Sequence, residues 1–328
     1  MIEQYLGWIK QLESALREWS SVRVSGSFRS IVVAGMGGSG IVGDYVYALS
    51  SVYGKTPVVV VKTYSVPSFL SREDLVLVIS YSGNTIETLR FAEEASEKSS
   101  SIVVVTSGGL LEEFGRRKGC TVLLVPKGLV PRTSLPSMLY RVLGFLDVSG
   151  YTVVQRSYAE EAYVFIRETI ADIREESVKI AEFVHRNRGL LILAGHASHG
   201  PLLIRGKNEF NENSKIPVKV EIAPEWMHND IVGWEKPYPG KYTVLSVVDP
   251  DDYTGLKLVE YMEGVYSEHG FPLYRVVLRG GSYLAKLLYG SLLLGLASAK
   301  LAELRGLDPL VTESIKKYKE ASRTIYKC

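Results

Sequence analysis

A glycine-rich segment, GMGGSG, follows an apolar strand and opens a helix. Gly35, Gly37 and Gly40 have the G-x-G-x-x-G spacing that lets backbone N–H groups approach a phosphate at a helix N-terminus. A dinucleotide-binding fold also needs an acidic residue about 20 residues later, which binds the ribose hydroxyls. Here the second strand ends in Lys62. The segment therefore predicts a phosphate site, and a dinucleotide site or a purely structural turn remain as alternatives.

A second segment, SYSGNT, lies at another junction between a strand and a helix. It supplies the hydroxyls of Ser80, Ser82 and Thr85, and the first segment adds Gly38 and Ser39. Loops that follow neighbouring parallel strands meet at one edge of a sheet, where ligands of such folds bind. Helix capping and a serine-stabilised turn are the structural alternatives. Because the lysine of a P-loop is missing, we expect these five residues to bind one small phosphate rather than a nucleoside triphosphate.

The second half of the chain is dense in polar residues around GKNEFNENSK. Glu209 and Glu212 are three residues apart, so they share a face if a helix continues through them, and a solvated acidic face is the alternative. Glu212 is flanked by Asn211 and Asn213, which are poor helix formers and predict a helix terminus. An insertion of about twenty residues follows and contains His228. A carboxylate and a histidine are suited to proton transfer near neutral pH.

Two basic segments are candidates for the same chemistry. Arg132, in PRTSLPSML, follows the last strand of the first half, in a loop expected at the ligand-binding edge, although a surface charge is the alternative. Near the C-terminus, LDPLVTESIKKYKEA predicts a helix that opens at Asp308-Pro309. Lysines in the last turns of a helix are usually solvent-exposed cations. Those of this helix are Lys316, Lys317 and Lys319.

A metal site is not expected. His196 and His199 in GHASHG have a spacing that could form a metal-binding pair, but a third ligand of suitable type is not evident nearby in the sequence. We interpret both histidines as structural, and we expect no metal ion and no other cofactor.

Short apolar strands alternate with amphipathic helices, which predicts an α/β fold with mostly parallel sheets flanked by helices, of the flavodoxin or Rossmann type. SIVVAGMGGSG aligns with GLLILAGHASHG at an offset of 160 positions, and KTPV then aligns with KIPV. This repeat predicts two similar domains, residues 1–150 and residues 151–328, the second including a helical connector and the C-terminal helix. The strands expected in the first domain are Ser30–Ala34, Pro57–Val61, Leu75–Ser80, Ser101–Thr106 and Thr121–Val125.

Composition excludes several other classes of protein. The 328 residues are 46% apolar and 23% charged, with a net charge of +2, so general disorder is excluded. The absence of a basic run argues against nucleic-acid binding. Two cysteines are too few for a disulfide framework. We expect no membrane span, because the apolar stretch from Tyr283 to Ala299 contains Lys286 and is short. The sequence thus favours a cytosolic protein, and its scarcity of Asn and Gln is typical of a thermophile.

MGGSGIVGD and SYSGNTIETL resemble the two signatures of sugar isomerase (SIS) domains. GKNEFNENSK and EWMHND resemble the second domain of the bifunctional phosphoglucose/phosphomannose isomerases of archaea and some bacteria. The resemblance spans both predicted domains. It implies a metal-independent aldose–ketose isomerase of carbohydrate metabolism (glycolysis and gluconeogenesis) that interconverts fructose 6-phosphate with glucose 6-phosphate and with mannose 6-phosphate through a cis-enediol(ate).

The resemblance also implies roles for individual residues. Glu212 would be the base that transfers the proton, and Arg132 would stabilise the enediolate. His228 would assist ring opening from across the interface of a homodimer, together with a lysine of the last helix, for which Lys319 matches best. Thr312, seven residues before Lys319 and so expected on the same helical face, would let the pocket accept both C2 epimers. The second domain lacks the glycine-serine cradle, which predicts one sugar-phosphate site per chain.

Three other functions remain open at this point. A non-catalytic sugar-phosphate regulator would keep the hydroxyl cradle without needing Glu212, His228 and Lys319 together. An enzyme acting on amino sugars commonly carries an N-terminal glutaminase with a nucleophilic cysteine, and residue 2 here is Ile. A dinucleotide-dependent oxidoreductase would use the glycine segment to bind its cofactor, and a test for bound cofactor would reveal it.

Overall fold

The chain forms two compact units, each built around a parallel sheet, in a computed structural model that describes residues 1–99 and 101–326. Among the described residues, the first-sheet unit contains Gly7–Tyr163 and the segment from Glu313 to Tyr326. The second-sheet unit contains Met1–Leu6 and Val164–Thr312. The internal repeat predicts a boundary at residue 150, with the C-terminal helix in the second domain. By its contacts that helix belongs instead to the first-sheet unit.

The first sheet contains the five predicted strands, each end lying within one residue of its expected position. They are β1 (Ser30–Gly35), β2 (Val58–Val61), β3 (Asp74–Ile79), β4 (Ile102–Thr106) and β5 (Thr121–Leu124). All pair in parallel, in the order β2-β1-β3-β4-β5. Their continuous Val, Ile and Leu content is explained by helices that bury the sheet, since every residue of β3 is buried.

The helices of the first-sheet unit include the predicted helix that follows SYSGNT. They are α2 (Trp8–Arg17), α3 (Gly37–Tyr53), α4 (Ile86–Lys98), α5 (Gly109–Arg117), α6 (Leu135–Val148) and α11 (Glu313–Ile325). Phe91 on α4 and Phe114 on α5 are at most 2% exposed and pack with Val76, Val78 and Val104 of the strands. This core fixes the positions of the loops that leave the sheet.

The second sheet repeats the strand order of the first, as the internal repeat predicts. Its strands are β6 (Leu190–His196), β7 (Val218–Ala223), β8 (Tyr242–Val248) and β9 (Leu273–Val277). They pair in parallel, in the order β7-β6-β8-β9. The remaining helices are α1 (Ile2–Leu6), α7 (Arg156–Asn187), α8 (Gly200–Glu209), α9 (Tyr253–Glu268) and α10 (Tyr283–Leu304). The boundary between the units falls inside α7, the predicted connector.

One helix of the described residues, Tyr283–Leu304, is long and apolar enough to cross a membrane by length and composition alone. Within its most apolar 18-residue window, 83% of the residues are buried inside the protein. That burial is typical of the core helix of a globular unit.

Gly264 offers a test of helix stability in the second-sheet unit. It lies in the interior of α9, and a Cβ added there would meet nothing within 4 Å. Because alanine loses less backbone entropy than glycine in a helix, Gly264→Ala is expected to raise the free energy of unfolding by about 0.5–1 kcal/mol. Gly206→Ala on α8 is the control. It is expected to lower the free energy of unfolding, because its added Cβ would lie 2.8 Å from Leu294 Cδ1. Urea titration of both variants measures the two effects.

Candidate active site

The strand order of the first sheet reverses between β1 and β3, which is where open parallel sheets bind ligands. The glycine segment leaves β1 and the SYSGNT segment leaves β3 at this point. A Cβ at Gly38 would lie 2.9 Å from the backbone carbon of Pro131 and 3.0 Å from the backbone N of Arg132. Glycine therefore permits the first loop to pack directly on the backbone of the loop that carries Arg132.

The predicted phosphate-binding residues cluster at this edge. Ser39 is buried, and its Oγ accepts the backbone N–H of Tyr81 at 3.0 Å, which joins the two loops. Ser80 Oγ donates to Thr85 Oγ1 at 3.1 Å, and Thr85 occupies the N-cap position of α4. Ser82 is partly exposed. The structure thus brings together, within one unit, the five residues expected to bind phosphate: Gly38, Ser39, Ser80, Ser82 and Thr85.

Tyr81, which is not among the site residues predicted from the sequence, connects these loops. Besides its N–H bond to Ser39, its hydroxyl donates to Pro126 O at 2.8 Å and accepts from Leu129 N at 2.9 Å. Its backbone O accepts from Ser107 N at 2.9 Å. Burial raises the pKa of this tyrosine, so it remains a neutral structural contact. Its position between the two serines of SYSGNT was the available signal.

Arg132 is buried, at 5% exposure, so the surface-charge alternative is wrong. The next residue, Thr133, presents its backbone O to Trp8 Nε1 and Gln11 Nε2, both at 2.9 Å. Two side chains of α2 therefore fix the loop that carries the guanidinium. A buried cation on a rigid loop beside the glycine segment can stabilise negative charge without reorganising.

The contacts of Lys62, at the end of β2, test the alternative that the glycine segment binds a dinucleotide. Its Nζ forms an ion pair with the carboxylate of Asp44 on α3, and the stem of the lysine passes Gly40, whose added Cβ would lie 3.3 Å from Lys62 Cε. The end of β2 thus presents an ion-paired lysine where a dinucleotide site needs an acid for the ribose. This arrangement argues against a dinucleotide.

The C-terminal helix α11 contacts α4 close to the SYSGNT loop. Tyr318 donates its hydroxyl to Glu87 in the first turn of α4, which raises the pKa of the tyrosine. Arg90 Nη1 donates to Tyr326 O at 2.9 Å. Lys319, next to Tyr318, therefore belongs to the same unit as the two loops expected to bind phosphate. Lys316, Lys317 and Lys319 are all exposed, so burial does not choose among them.

The expected relation between Thr312 and Lys319 is corrected by the structure. The helix begins at Glu313, not at Asp308, so Thr312 precedes it and the seven-residue spacing does not place the two on one helical face. A turn occupies the expected start, where Asp308 Oδ1 accepts the N–H of Leu310 at 2.8 Å. This local bond competes with helix formation, as aspartate side chains often do.

Glu212 lies in a single π-helical turn, Phe210–Ser214, that directly follows α8. Such turns are rare and are frequently found at functional sites. The expectation that Glu209 and Glu212 share one helical face is therefore wrong. Glu209 is 1% exposed and forms an ion pair with Arg205, Nη2 to Oε1, at 2.6 Å, whereas Glu212 is partly exposed. Of the two carboxylates, only Glu212 is accessible to a ligand.

His228 is exposed at the end of a 3-10 turn in the predicted insertion. The turn is attached to the core by Glu221 of β7, a 1% exposed carboxylate that sequence reasoning missed. Glu221 accepts from Trp226 Nε1 at 2.7 Å, from Trp234 Nε1 at 3.0 Å, and from the hydroxyl of Tyr266. Two tryptophans in an insertion were a signal of this anchoring.

The equivalent edge of the second sheet is filled by the protein's own side chains. His196 Nδ1 lies 2.8 Å from Asp252 Oδ2, and His199 Nε2 lies 3.5 Å from Asp249 Oδ2. Lys286 Nζ contacts Asp249 Oδ1 at 2.6 Å. Within residues 1–99 and 101–326, His, Cys, Asp and Glu side chains form no group of three placed to hold a metal ion. The expectation that the protein needs no metal stays a prediction.

This cluster predicts acid sensitivity. Burial lowers the pKa of His199 to about 4, against the opposing effect of Asp249, while Lys286 adds to the lowering. The unfolded chain takes up a proton near pH 6.5 and the folded chain near pH 4, so stability is full above pH 6.5 and falls as the pH drops between these values. We expect a loss of about 3 kcal/mol. His199→Gln should flatten this pH dependence in chemical denaturation, whereas the exposed His269→Gln should keep the wild-type slope.

The candidate residues thus fall into two sets. The first-sheet unit carries the two loops expected to bind phosphate, Arg132 and the three lysines of α11. The second-sheet unit carries Glu212, His228 and Thr312.

Comparisons with known proteins find one family model in each half of the sequence, and the second model includes part of α11. Residues 27–110 match the SIS domain, and residues 173–321 match the bacterial phospho-glucose isomerase C-terminal SIS domain. The bifunctional phosphoglucose/phosphomannose isomerase of Aquifex aeolicus is 35% identical over 296 residues, covering 89% of this chain and 90% of that protein. The enzyme of the same name from Aeropyrum pernix is 35% identical and covers 97% of each chain.

Two further findings mark the breadth of the similarity. D-glucosamine-6-phosphate 4-epimerase of Sulfolobus acidocaldarius is 30% identical, covering 92% of this chain and 91% of that protein. The C-terminal domain of glucosamine-fructose-6-phosphate aminotransferase from Francisella tularensis shares the fold, with a TM-score of 0.73 at 14% identity, over 94% of this chain and 96% of that one. The relatives at 35% identity and both domain matches place the chain in one group: it belongs to the bifunctional phosphoglucose/phosphomannose isomerase family and is an isomerase.

Proposed function

We propose that the protein interconverts fructose 6-phosphate with glucose 6-phosphate and with mannose 6-phosphate, without a metal ion. The observation that carries this proposal is the edge of the first sheet, where two hydroxyl-rich loops are joined through Ser39 and Tyr81 beside the buried Arg132. Relatives that are 35% identical bear the name of both activities. The cytosol, expected from the sequence, is the compartment in which we propose that it acts.

The phosphate group is held by the first-sheet unit. The first N–H groups of α3 and α4 have no partner within their helices and carry partial positive charge, which favours an anion. Gly38 lets the backbone approach the phosphate oxygens, and Ser39, Ser80, Ser82 and Thr85 donate hydroxyls. Binding the phosphate far from C1 and C2 supplies energy that can orient the reacting end of the sugar.

Ring opening comes first, because the substrate arrives as a cyclic hemiacetal or hemiketal. A proton must reach the ring oxygen while another leaves the anomeric hydroxyl, so one acid and one base are needed. We assign this exchange to His228 and Lys319, with Lys316 and Lys317 as the alternative lysines. Histidine suits this role because its ordinary pKa lies near neutral pH.

Proton transfer then uses one carboxylate for both directions. The Glu212 carboxylate removes the proton from C2 of the open-chain aldose, and the electron pair moves into a C1–C2 double bond as the aldehyde oxygen becomes the enediolate oxygen. Glu212 returns the proton to C1, a proton moves from the C2 hydroxyl to the oxygen on C1, and the ketose results. The Arg132 guanidinium stabilises the negative charge of the intermediate.

Glucose 6-phosphate and mannose 6-phosphate differ only at C2, and both give the same cis-enediolate when that proton leaves. One base can therefore serve both epimers if the pocket lets the C1–C2 end turn. We assign this tolerance to Thr312, whose side chain is small and precedes α11.

An isomerase assay in the presence of a chelator tests the substrates. Glucose 6-phosphate, mannose 6-phosphate and glucosamine 6-phosphate are supplied separately, and fructose 6-phosphate or the 4-epimer is measured. We expect fructose 6-phosphate from the first two at comparable rates. Turnover of glucose 6-phosphate alone would contradict dual specificity, and activity lost on chelation would contradict metal independence. Epimerisation of glucosamine 6-phosphate alone would favour the activity named for the Sulfolobus relative. Binding without any turnover would favour a non-catalytic regulator.

Mixing two inactive variants tests the proposed homodimer. Pure dimers of Glu212→Gln and pure dimers of His228→Ala are expected to be inactive, because each substitution removes one required group. A mixed dimer contains one intact site if His228 reaches the neighbouring active site. After exchange of subunits, about a quarter of wild-type activity is expected, since half the dimers are mixed and each has one intact site of two. No recovery in exchanged dimers would place His228 with Glu212 of its own chain.

A further inference from the structure

A buried carboxylate lies immediately before the turn that carries Glu212. Glu209 is the last residue of α8 and is 1% exposed. One of its oxygens pairs with Arg205 Nη2 at 2.6 Å, and the other accepts from the hydroxyl of Tyr5 and from Asn213 Nδ2, the latter at 3.2 Å. Asn213 Nδ2 also lies 2.9 Å from Ser298 Oγ on α10. We call these five residues the Glu209 network.

The network holds the π-helical turn from both of its ends. Glu209 precedes the turn, and Asn213 lies within it at 0% exposure. Ser214, also at 0% exposure, donates its Oγ to Ser298 O at 2.7 Å and presents its own O to Arg305 Nη1. The backbone on both sides of Glu212 is therefore fixed to α1, α8 and α10 by directional polar bonds.

Stability alone is a weak explanation for this arrangement. Replacing a buried ion pair with apolar residues of similar volume is often neutral or stabilising, so Arg205 and Glu209 are not needed for a firm core. Apolar side chains would also pack beneath an ordinary α-helical turn. A carboxylate that accepts from Asn213 is satisfied only when the turn adopts one conformation, and this conformation determines where Glu212 is presented.

We propose that Glu209 and Asn213 are positioning residues for proton transfer, an inference that rests on the proposed role of Glu212. They hold the π-helical turn so that the Glu212 carboxylate meets the C1–C2 end of the sugar in one orientation. Misplacing a catalytic group by about 1 Å can lower a rate by about 100-fold. Phosphate binding uses other residues and is unaffected.

Three substitutions each remove one polar group of the network and test this proposal. Tyr5→Phe keeps the aromatic ring, which packs against Gly295, and removes one hydroxyl. Ser298→Ala removes a second hydroxyl, and Asn213→Leu replaces the side-chain amide with an apolar group of similar volume. We expect kcat to fall by about 10-fold to 100-fold with KM changed less than about two-fold. The isotope effect with C2-deuterated glucose 6-phosphate should rise, because proton transfer becomes slower relative to the other steps.

Tyr140→Phe is the matched control. Tyr140 is equally buried, and its hydroxyl donates to Ala159 O at 2.9 Å, so the variant loses one buried hydrogen bond outside the Glu209 network. It should melt at a lower temperature with kcat and isotope effect unchanged. If the three network variants also melt at a lower temperature while kcat and the isotope effect stay unchanged, the role of the network is only structural and the proposal is overturned. If Asn213→Leu does not fold, Tyr5→Phe and Ser298→Ala decide.

Failure of the proposed function gives a different result. If Glu212→Gln retains wild-type proton exchange at C2, Glu212 is not the base and the premise is lost. If Glu212→Gln is inactive while all three network variants keep wild-type kcat and isotope effect, the function stands and only the positioning inference fails.

Discussion

Substitution Glu212→Gln is expected to abolish exchange of the C2 proton of glucose 6-phosphate with solvent and to lower kcat by about two to four orders of magnitude. Glutamine has nearly the same size as glutamate but cannot accept a proton at neutral pH. Because the loops proposed to bind phosphate belong to the other unit, affinity for sugar phosphate should change little. Deuterium incorporation at C2 in heavy water, followed by NMR, measures the exchange directly.

A matched variant separates this effect from a general loss of charge. Glu268→Gln neutralises an exposed glutamate at the end of α9 in the same unit and should leave kcat unchanged. Isothermal titration of glucitol 6-phosphate, which cannot isomerise, reports binding in both variants. Full exchange in Glu212→Gln would refute the assignment, and loss of both binding and exchange would give Glu212 a binding role instead.

The first sheet could be predicted from sequence almost to the residue because its strands are buried on both faces. Such strands appear as continuous Val, Ile and Leu runs separated by helices, and β3 is the plainest example. The second sheet followed from the repeat around Ala194 and Gly195. The unit to which α11 belongs could not be predicted, since it depends on single long-range contacts such as Tyr318 with Glu87.

The positions of the candidate residues could be predicted where they follow strands at a sheet edge, and could not be predicted where they depend on local backbone geometry. The hydroxyls of SYSGNT and GMGGSG were recognisable because loops of parallel strands converge. Helical periodicity predicts that Glu209 and Glu212 share a helical face, and that Thr312 and Lys319 do so as well. Neither holds, because a π-helical turn interrupts the first expected helix and a turn at Asp308 replaces the start of the second. Both interruptions depend on polar contacts that periodicity does not encode.

Arg132→Met is expected to lower kcat by about 100-fold to 1,000-fold, the effect of removing a group that stabilises a developing oxyanion. The guanidinium is buried on a loop fixed by Trp8 and Gln11, so solvent or a neighbouring side chain cannot readily replace it. Arg132→Lys keeps the charge but loses the planar fork of donors, so we expect an intermediate loss of about 10-fold to 100-fold.

Two inhibitors distinguish stabilisation of the enediolate from binding of the phosphate. A hydroxamate analogue of the five-carbon sugar phosphate mimics the planar, negatively charged intermediate, whereas glucitol 6-phosphate offers only the phosphate and neutral hydroxyls. If Arg132 acts on the intermediate, Arg132→Met should weaken the hydroxamate by about the same factor as kcat and leave glucitol 6-phosphate nearly unchanged. Arg141→Met, on α6, is the control and should change neither affinity. Equal weakening of both inhibitors would instead make Arg132 a phosphate ligand, and the negative charge of the enediolate would then need another partner.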